Sequence, residues 1–98
     1  MRSQSRYNLF QLARRRKAKE LRAALDRLSV QVRPEVLRCW TVSAFEWAQY
    51  NEDWDCILAL TVVTPQTAKY ILARPNSGYS PRSTELLREA LKLTASSD

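Results

Sequence analysis

The densest chemically capable feature of the chain is the run Arg14-Arg15-Arg16-Lys17, followed by Lys19 and Arg22. Closely spaced guanidinium and ammonium groups suit phosphate, because neutralising a phosphate chain releases its condensed counterions. At about 100° per residue, four consecutive charges point around nearly the whole circumference of a helix and cannot share one solvated side. Arg14 and Lys17 also fall close to the azimuth of Leu21, which interrupts the apolar stripe of Leu21, Ala24, Leu25 and Leu28. The segment is therefore expected to project beyond the core, as a basic helix or arm over residues 1–20. An acidic protein surface or plain solvation are the other uses such a run could have.

A second set of suitable side chains lies between Thr64 and Arg74. Thr64-Pro65-Gln66-Thr67 offers a hydroxyl to cap a helix, a proline at its first position, and Val63 to pack on Ala68 as a staple. In a helix running to about Arg74, Ala68, Ile71 and Leu72 turn inward, while Gln66, Lys69, Tyr70 and Arg74 fall on the opposite side. Gln suits adenine edges, Arg suits guanine or phosphate, and Lys suits mainly phosphate.

With the apolar Ile57 to Val62 before it, the stretch Val63 to Leu72 resembles the turn and recognition helix of helix-turn-helix repressors of the small phage and plasmid type. Gly78-Tyr79-Ser80-Pro81, followed by Thr84, Leu87 and Ala90-Leu91, is similar to the segment after the recognition helix in those proteins. The resemblance implies a DNA-binding transcriptional regulator that presents Thr64, Gln66, Thr67, Lys69, Tyr70 and Arg74 to a major groove. It also implies a homodimer reading two half-sites on duplex DNA. Two positions depart from the family: its small residue in the first helix falls on Leu58, and its turn glycine on Val62, which takes a positive φ only at a cost.

Other chemistries find little support. The chain has no His, which removes the usual general base near neutral pH and the commonest metal ligand. Cys39 and Cys56 lack a CxxC arrangement and are expected to be reduced and packed. Glu52, Asp53 and Asp55 read as carboxylates placed at a helix start, where unsatisfied amides favour them, and not as a cation site. With a single glycine, Gly78, no phosphate-cradling loop is available. No enzymatic activity, cofactor or metal is expected.

The net charge is +6 over 98 residues, and it is unevenly spread. Residues 1–33 carry +8, residues 34–63 carry −4 and residues 64–98 carry +2. A localised positive field of this kind attracts phosphate or an acidic partner. No apolar run approaches the roughly 20 residues of a membrane span, and Met1 to Arg6 is not followed by a signal-peptide core, so a cytoplasmic protein is expected.

The elements that must position these residues read as helices within a single domain, residues 1–98. The expected boundaries are Tyr7 to Leu28, Glu35 to Tyr50, Asp53 to Val62, Pro65 to about Arg74, and a last helix opening at Ser80-Pro81 after a turn at Asn76 to Tyr79. Residues 94–98 are expected to fray. The second helix is expected to bury Val36, Leu37, Trp40, Ala44, Trp47 and Ala48 on one side, leaving Arg38, Ser43, Glu46 and Gln49 elsewhere. The fold class is thus all-α, a bundle of about five helices with a helix-turn-helix-like pair. Because Leu60-Thr61-Val62-Val63-Thr64 is β-branched, an α+β alternative stays open: αβββα with a three-stranded antiparallel sheet, as in double-stranded RNA-binding domains. The functional readings are a small basic nucleic-acid-binding protein, or a protein-interaction module docking through its basic amino-terminal helix.

Overall fold

The computed structural model describes residues 6–74 and 80–96, and among these it contains six α-helices and no strand. They are α1 (Arg6–Arg14), α2 (Ala18–Gln31), α3 (Pro34–Tyr50), α4 (Trp54–Val63), α5 (Pro65–Ala73) and α6 (Pro81–Ser96). The all-α expectation holds. The expected turn at 76–79 lies outside the described residues, as do residues 97 and 98.

The αβββα alternative fails at the β-branched run. Leu60 to Val63 is the carboxyl-terminal half of α4, which packs against α2, α3, α5 and α6. A segment enclosed this way gains more from burying apolar side chains than strand propensity withholds. Its hydroxyls also find partners on the helix itself. Thr61 Oγ1 donates to Ile57 O at 2.7 Å and Thr64 Oγ1 donates to Leu60 O at 2.8 Å, the back-bonding by which threonine tolerates a helix interior.

Helix starts follow local chemistry. Pro34, Pro65 and Pro81 each occupy the first helical position, where a missing N–H is harmless. Asp53 Oδ1 accepts from the Cys56 N–H at 3.4 Å, and Ser80 Oγ accepts from the Ser83 N–H at 3.2 Å. Thr64 does not cap α5 as expected, because its hydroxyl is already committed to Leu60 O. It is the sole residue between α4 and α5, whose axes turn through 112°. That angle lies within the range of helix-turn-helix pairs, although those use a longer turn. Thr64 makes the bend with φ −129°, and Val62 stays inside α4, so the position of the family's turn glycine needs no positive φ.

The expected helix from Tyr7 to Leu28 is broken in two. At its end, the Lys17 N–H bonds to Leu12 O at 2.9 Å, the Arg16 N–H bonds to Ala13 O at 3.1 Å, and Arg16 has φ 61°. This is a Schellman closure with arginine at the left-handed position that glycine usually fills. The end of α3 closes the same way: Asp53 N–H to Ala48 O and Glu52 N–H to Gln49 O, both 3.0 Å, with Glu52 at φ 51°. Asn51 joins the two closures, its Nδ2 donating to Arg14 O at 3.2 Å and Ala13 O at 3.5 Å.

The break lets α1 fold back onto α3 and bury Leu9 and Ala13 completely. The expected projecting arm is thus overturned for α1: the interrupted stripe marks a change of direction, and the turn Arg14 to Lys17 is exposed. At the other terminus α6 continues to Ser96, with Thr94 half-buried and bonded to Ala90 O at 2.8 Å, so fraying does not begin at Thr94.

Leu21, Ala24, Leu25 and Leu28 are buried, as their spacing requires. On α3 the inward face is rotated from the expected one. Thr41, Phe45 and Gln49 are buried beside Leu37, Ala44 and Ala48, while Trp40 and Trp47 are only half-buried beneath the flanking helices.

Candidate functional site

Helix α5 lies along one flank of α3. Thr67 fixes it there: the Thr41 hydroxyl donates to Thr67 Oγ1 at 3.0 Å, and the Thr67 hydroxyl donates to Arg38 O at 3.2 Å. Both threonines are buried, as are Ala68 and Ile71. The opposite side of α5 presents Gln66, Lys69 and Tyr70 to solvent, with Tyr70 56% exposed. Arg74 closes this face. Its guanidinium lies 5.6 Å from the Tyr70 ring centroid and 3.7 Å from the Glu46 carboxylate of α3.

Cations frame this face on both sides. Between α3 and α5 runs a groove of about 360 Å³, lined by Glu35, Arg38, Cys39, Val42, Gln66, Thr67 and Tyr70. Between α5 and α6 runs a larger cleft of about 630 Å³, whose charged lining residues are Lys69, Arg88 and Lys92 over Leu72, Leu91 and Ala95. Among the described residues no carboxylate lines that cleft, although Glu89 reaches Lys92 at 3.8 Å from outside it. Pro65, Lys69 and Leu72 are spaced as one stripe of α5, and Arg88, Leu91, Lys92 and Ala95 as one stripe of α6.

The basic run lies elsewhere. Arg14, Arg15, Arg16, Lys17 and Lys19 are exposed around the α1–α2 turn, held beside the end of α3 by Asn51. Arg14 sits over Trp47, 5.6 Å from its ring centroid. Trp47 and Arg38 are nine residues apart on α3, hence about 180° apart around it. The two groups of sequence-predicted residues are thus on opposite flanks of α3 and do not form one surface.

Three candidates change role. Thr64 and Thr67 are buried, bonded to Leu60 O and to the α3 backbone, so they position α5 and cannot reach a groove. Arg22 pairs with Asp26 at 3.1 Å along α2, away from the turn. Sequence reading missed Arg38, Arg88 and Lys92. The i, i+4 spacing of Arg88 and Lys92 around Leu91 was a visible signal on α6, whereas Arg38 joins the site only through the packing of α3 on α5.

Cys39 and Cys56 are both free thiols, the first exposed and the second buried. Burial, then the hydrogen bond and negative charge of Asp53, push the Cys56 thiol far above its ordinary value of 9.0, so it stays protonated and unreactive. Among the described residues no group of three His, Cys, Asp or Glu side chains could hold a metal ion, and no single helix is long and apolar enough to cross a membrane. Compared with known proteins, the chain matches no family model, no curated protein and no solved structure.

Proposed function

We propose that the protein binds duplex nucleic acid, most naturally DNA as a transcriptional regulator, by laying α5 into a major groove. The observation that carries this reading is the cationic frame of α5. Arg38, with Glu35 in the same groove, flanks its exposed face on the α3 side, and Arg88 and Lys92 flank it on the α6 side. A helix entering a groove meets phosphates on both edges, so cations on both sides of a polar helix face suit that docking. Gln66 and Lys69 stand where base edges and phosphates would be met, while Arg74 is held by Glu46 and Tyr70 and orders the end of the face.

A single small module buries too little surface for high specificity, and a homodimer on two half-sites would supply the remainder. The test is duplex binding by the full chain as salt is varied. With Arg38, Lys69, Arg88 and Lys92 at phosphates, log K falls against log[salt] with a slope of about −3.5, and Lys69→Ala or Arg88→Ala each reduces that slope by about 1. Absence of duplex binding at low salt contradicts the reading. Loss of binding only on changing Arg15 and Arg16 assigns the contact to the opposite flank of α3.

A further inference from the structure

The flank of α3 that faces away from α5 carries an aromatic cluster beside the basic turn. Tyr50 is 70% exposed, and its ring stands edge-on to Trp47 at 5.5 Å between centroids, with an interplanar angle of 85°. Trp47 in turn contacts Phe10 of α1 at 6.2 Å and carries the Arg14 guanidinium over its ring. Arg15, Arg16 and Lys17 follow immediately and are exposed. The nearby carboxylates are partly engaged. Glu52 accepts from the Ser80 hydroxyl at 2.7 Å and Asp53 caps α4, while Glu52 and Asp55 are the exposed acids there.

An exposed tyrosine ring braced by a half-buried tryptophan that carries an arginine over its own ring combines the two elements that hold unpaired bases. The ring offers a stacking surface to any base, and the guanidinium groups offer charge to the adjacent phosphates. Bases within a duplex are already stacked on one another, so this surface gains its aromatic contribution only from a single strand.

We propose that Tyr50, Trp47 and Arg14, with Arg15 to Lys17, form a second binding surface whose ligand is the unpaired bases of single-stranded nucleic acid. It is separate from the α5 face and does not depend on it. Tyr50 supplies the stacking ring, Trp47 and Arg14 hold that ring's surroundings in place, and the basic turn draws in the strand.

The experiment is fluorescence anisotropy of the full chain with a labelled oligothymidylate of about ten nucleotides, against an abasic strand of equal length and charge. The thymidylate is expected to bind about tenfold more tightly than the abasic strand; Tyr50→Ala removes that advantage and Tyr50→Phe keeps it. Circular dichroism of Tyr50→Ala is expected to match the unaltered protein. Lys69→Ala, chosen to weaken the α5 face, leaves the thymidylate affinity unchanged, so failure of the duplex reading leaves this one standing. Equal binding of the two strands would show a surface that reads charge alone and overturn the proposal. So would indifference to Tyr50→Ala, or a loss on Lys69→Ala equal to that for duplex.

Discussion

The side-chain amide of Asn51 donates to the carbonyl oxygen of Arg14 at 3.2 Å, tying the end of α3 to the end of α1. The last carbonyls of a helix have no partner within it, and the Schellman closure at Arg16 occupies those of Leu12 and Ala13. Arg14 O is left for Asn51. Asn51→Ala is expected to cost about 1 kcal/mol in urea denaturation, the usual value of one hydrogen bond. An unchanged midpoint would show that water replaces the amide without loss.

Arg16 closes α1 at φ 61°, a conformation that costs a residue with a Cβ about 1 kcal/mol or more. Arg16→Gly is therefore expected to raise the melting temperature by about 4–8 °C, the shift that about 1 kcal/mol brings in a domain of this size. A lower melting temperature would mean that the Arg16 side chain contributes more than its backbone loses.

The buried hydroxyl chain from Thr41 through Thr67 to Arg38 O predicts a non-additive result. Thr41→Val leaves Thr67 Oγ1 without that donor, whereas after Thr67→Val the Thr41 hydroxyl still has Leu37 O and Arg38 O as acceptors, each at 3.1 Å. Thr41→Val is expected to cost about 1–2 kcal/mol and Thr67→Val less, and the double variant less than their sum, because both single variants lose the same contact between the two hydroxyls. Strict additivity in urea denaturation would show that the hydroxyls are not coupled.

The thiols should separate by reactivity and by pH. Exposed Cys39 is expected to react with a disulfide reagent in the folded protein, and Cys56 only on unfolding. Because burial raises the Cys56 thiol above its ordinary value of 9.0, the unfolded chain loses that proton first as pH rises. The folded state then holds more protons than the unfolded one, so the stability due to the neutral thiol is complete below pH 9.0 and declines above it. Cys56→Ala is expected to lack this part of the alkaline decline, measured by urea denaturation across that range. An identical decline in the variant would assign it to other groups.

Much of the helical framework was legible because its signals are local. Three prolines mark three helix starts, Asn51 marks the end of α3, and the Leu21 to Leu28 stripe faces the core. The break at Arg15 to Lys17 was not, since neither glycine nor proline announces it. The interrupted stripe was its trace, and that trace fitted a projecting arm as well as a reversal. Thr64 and Thr67 read as groove contacts because the helix-turn-helix resemblance puts a capping threonine and small polar residues near base edges. Only the position of α3 shows that Thr67 turns inward, and only the packing of α4 among four helices makes Leu60 to Thr64 helical or helix-ending. Gln66, Lys69 and Tyr70 are exposed on one face as their spacing on α5 requires, whereas Arg38, Arg88 and Lys92 join them through contacts between distant segments.

An amide NMR titration of the full chain with duplex DNA maps the surface that meets the duplex. Shifts are expected to concentrate at Gln66, Lys69 and Tyr70, with smaller ones at Arg38, Arg88 and Lys92, and an undisturbed Arg14 to Lys17 turn. Shifts confined to that turn and to Tyr50, or none at low salt, would contradict α5 as the surface that meets a duplex.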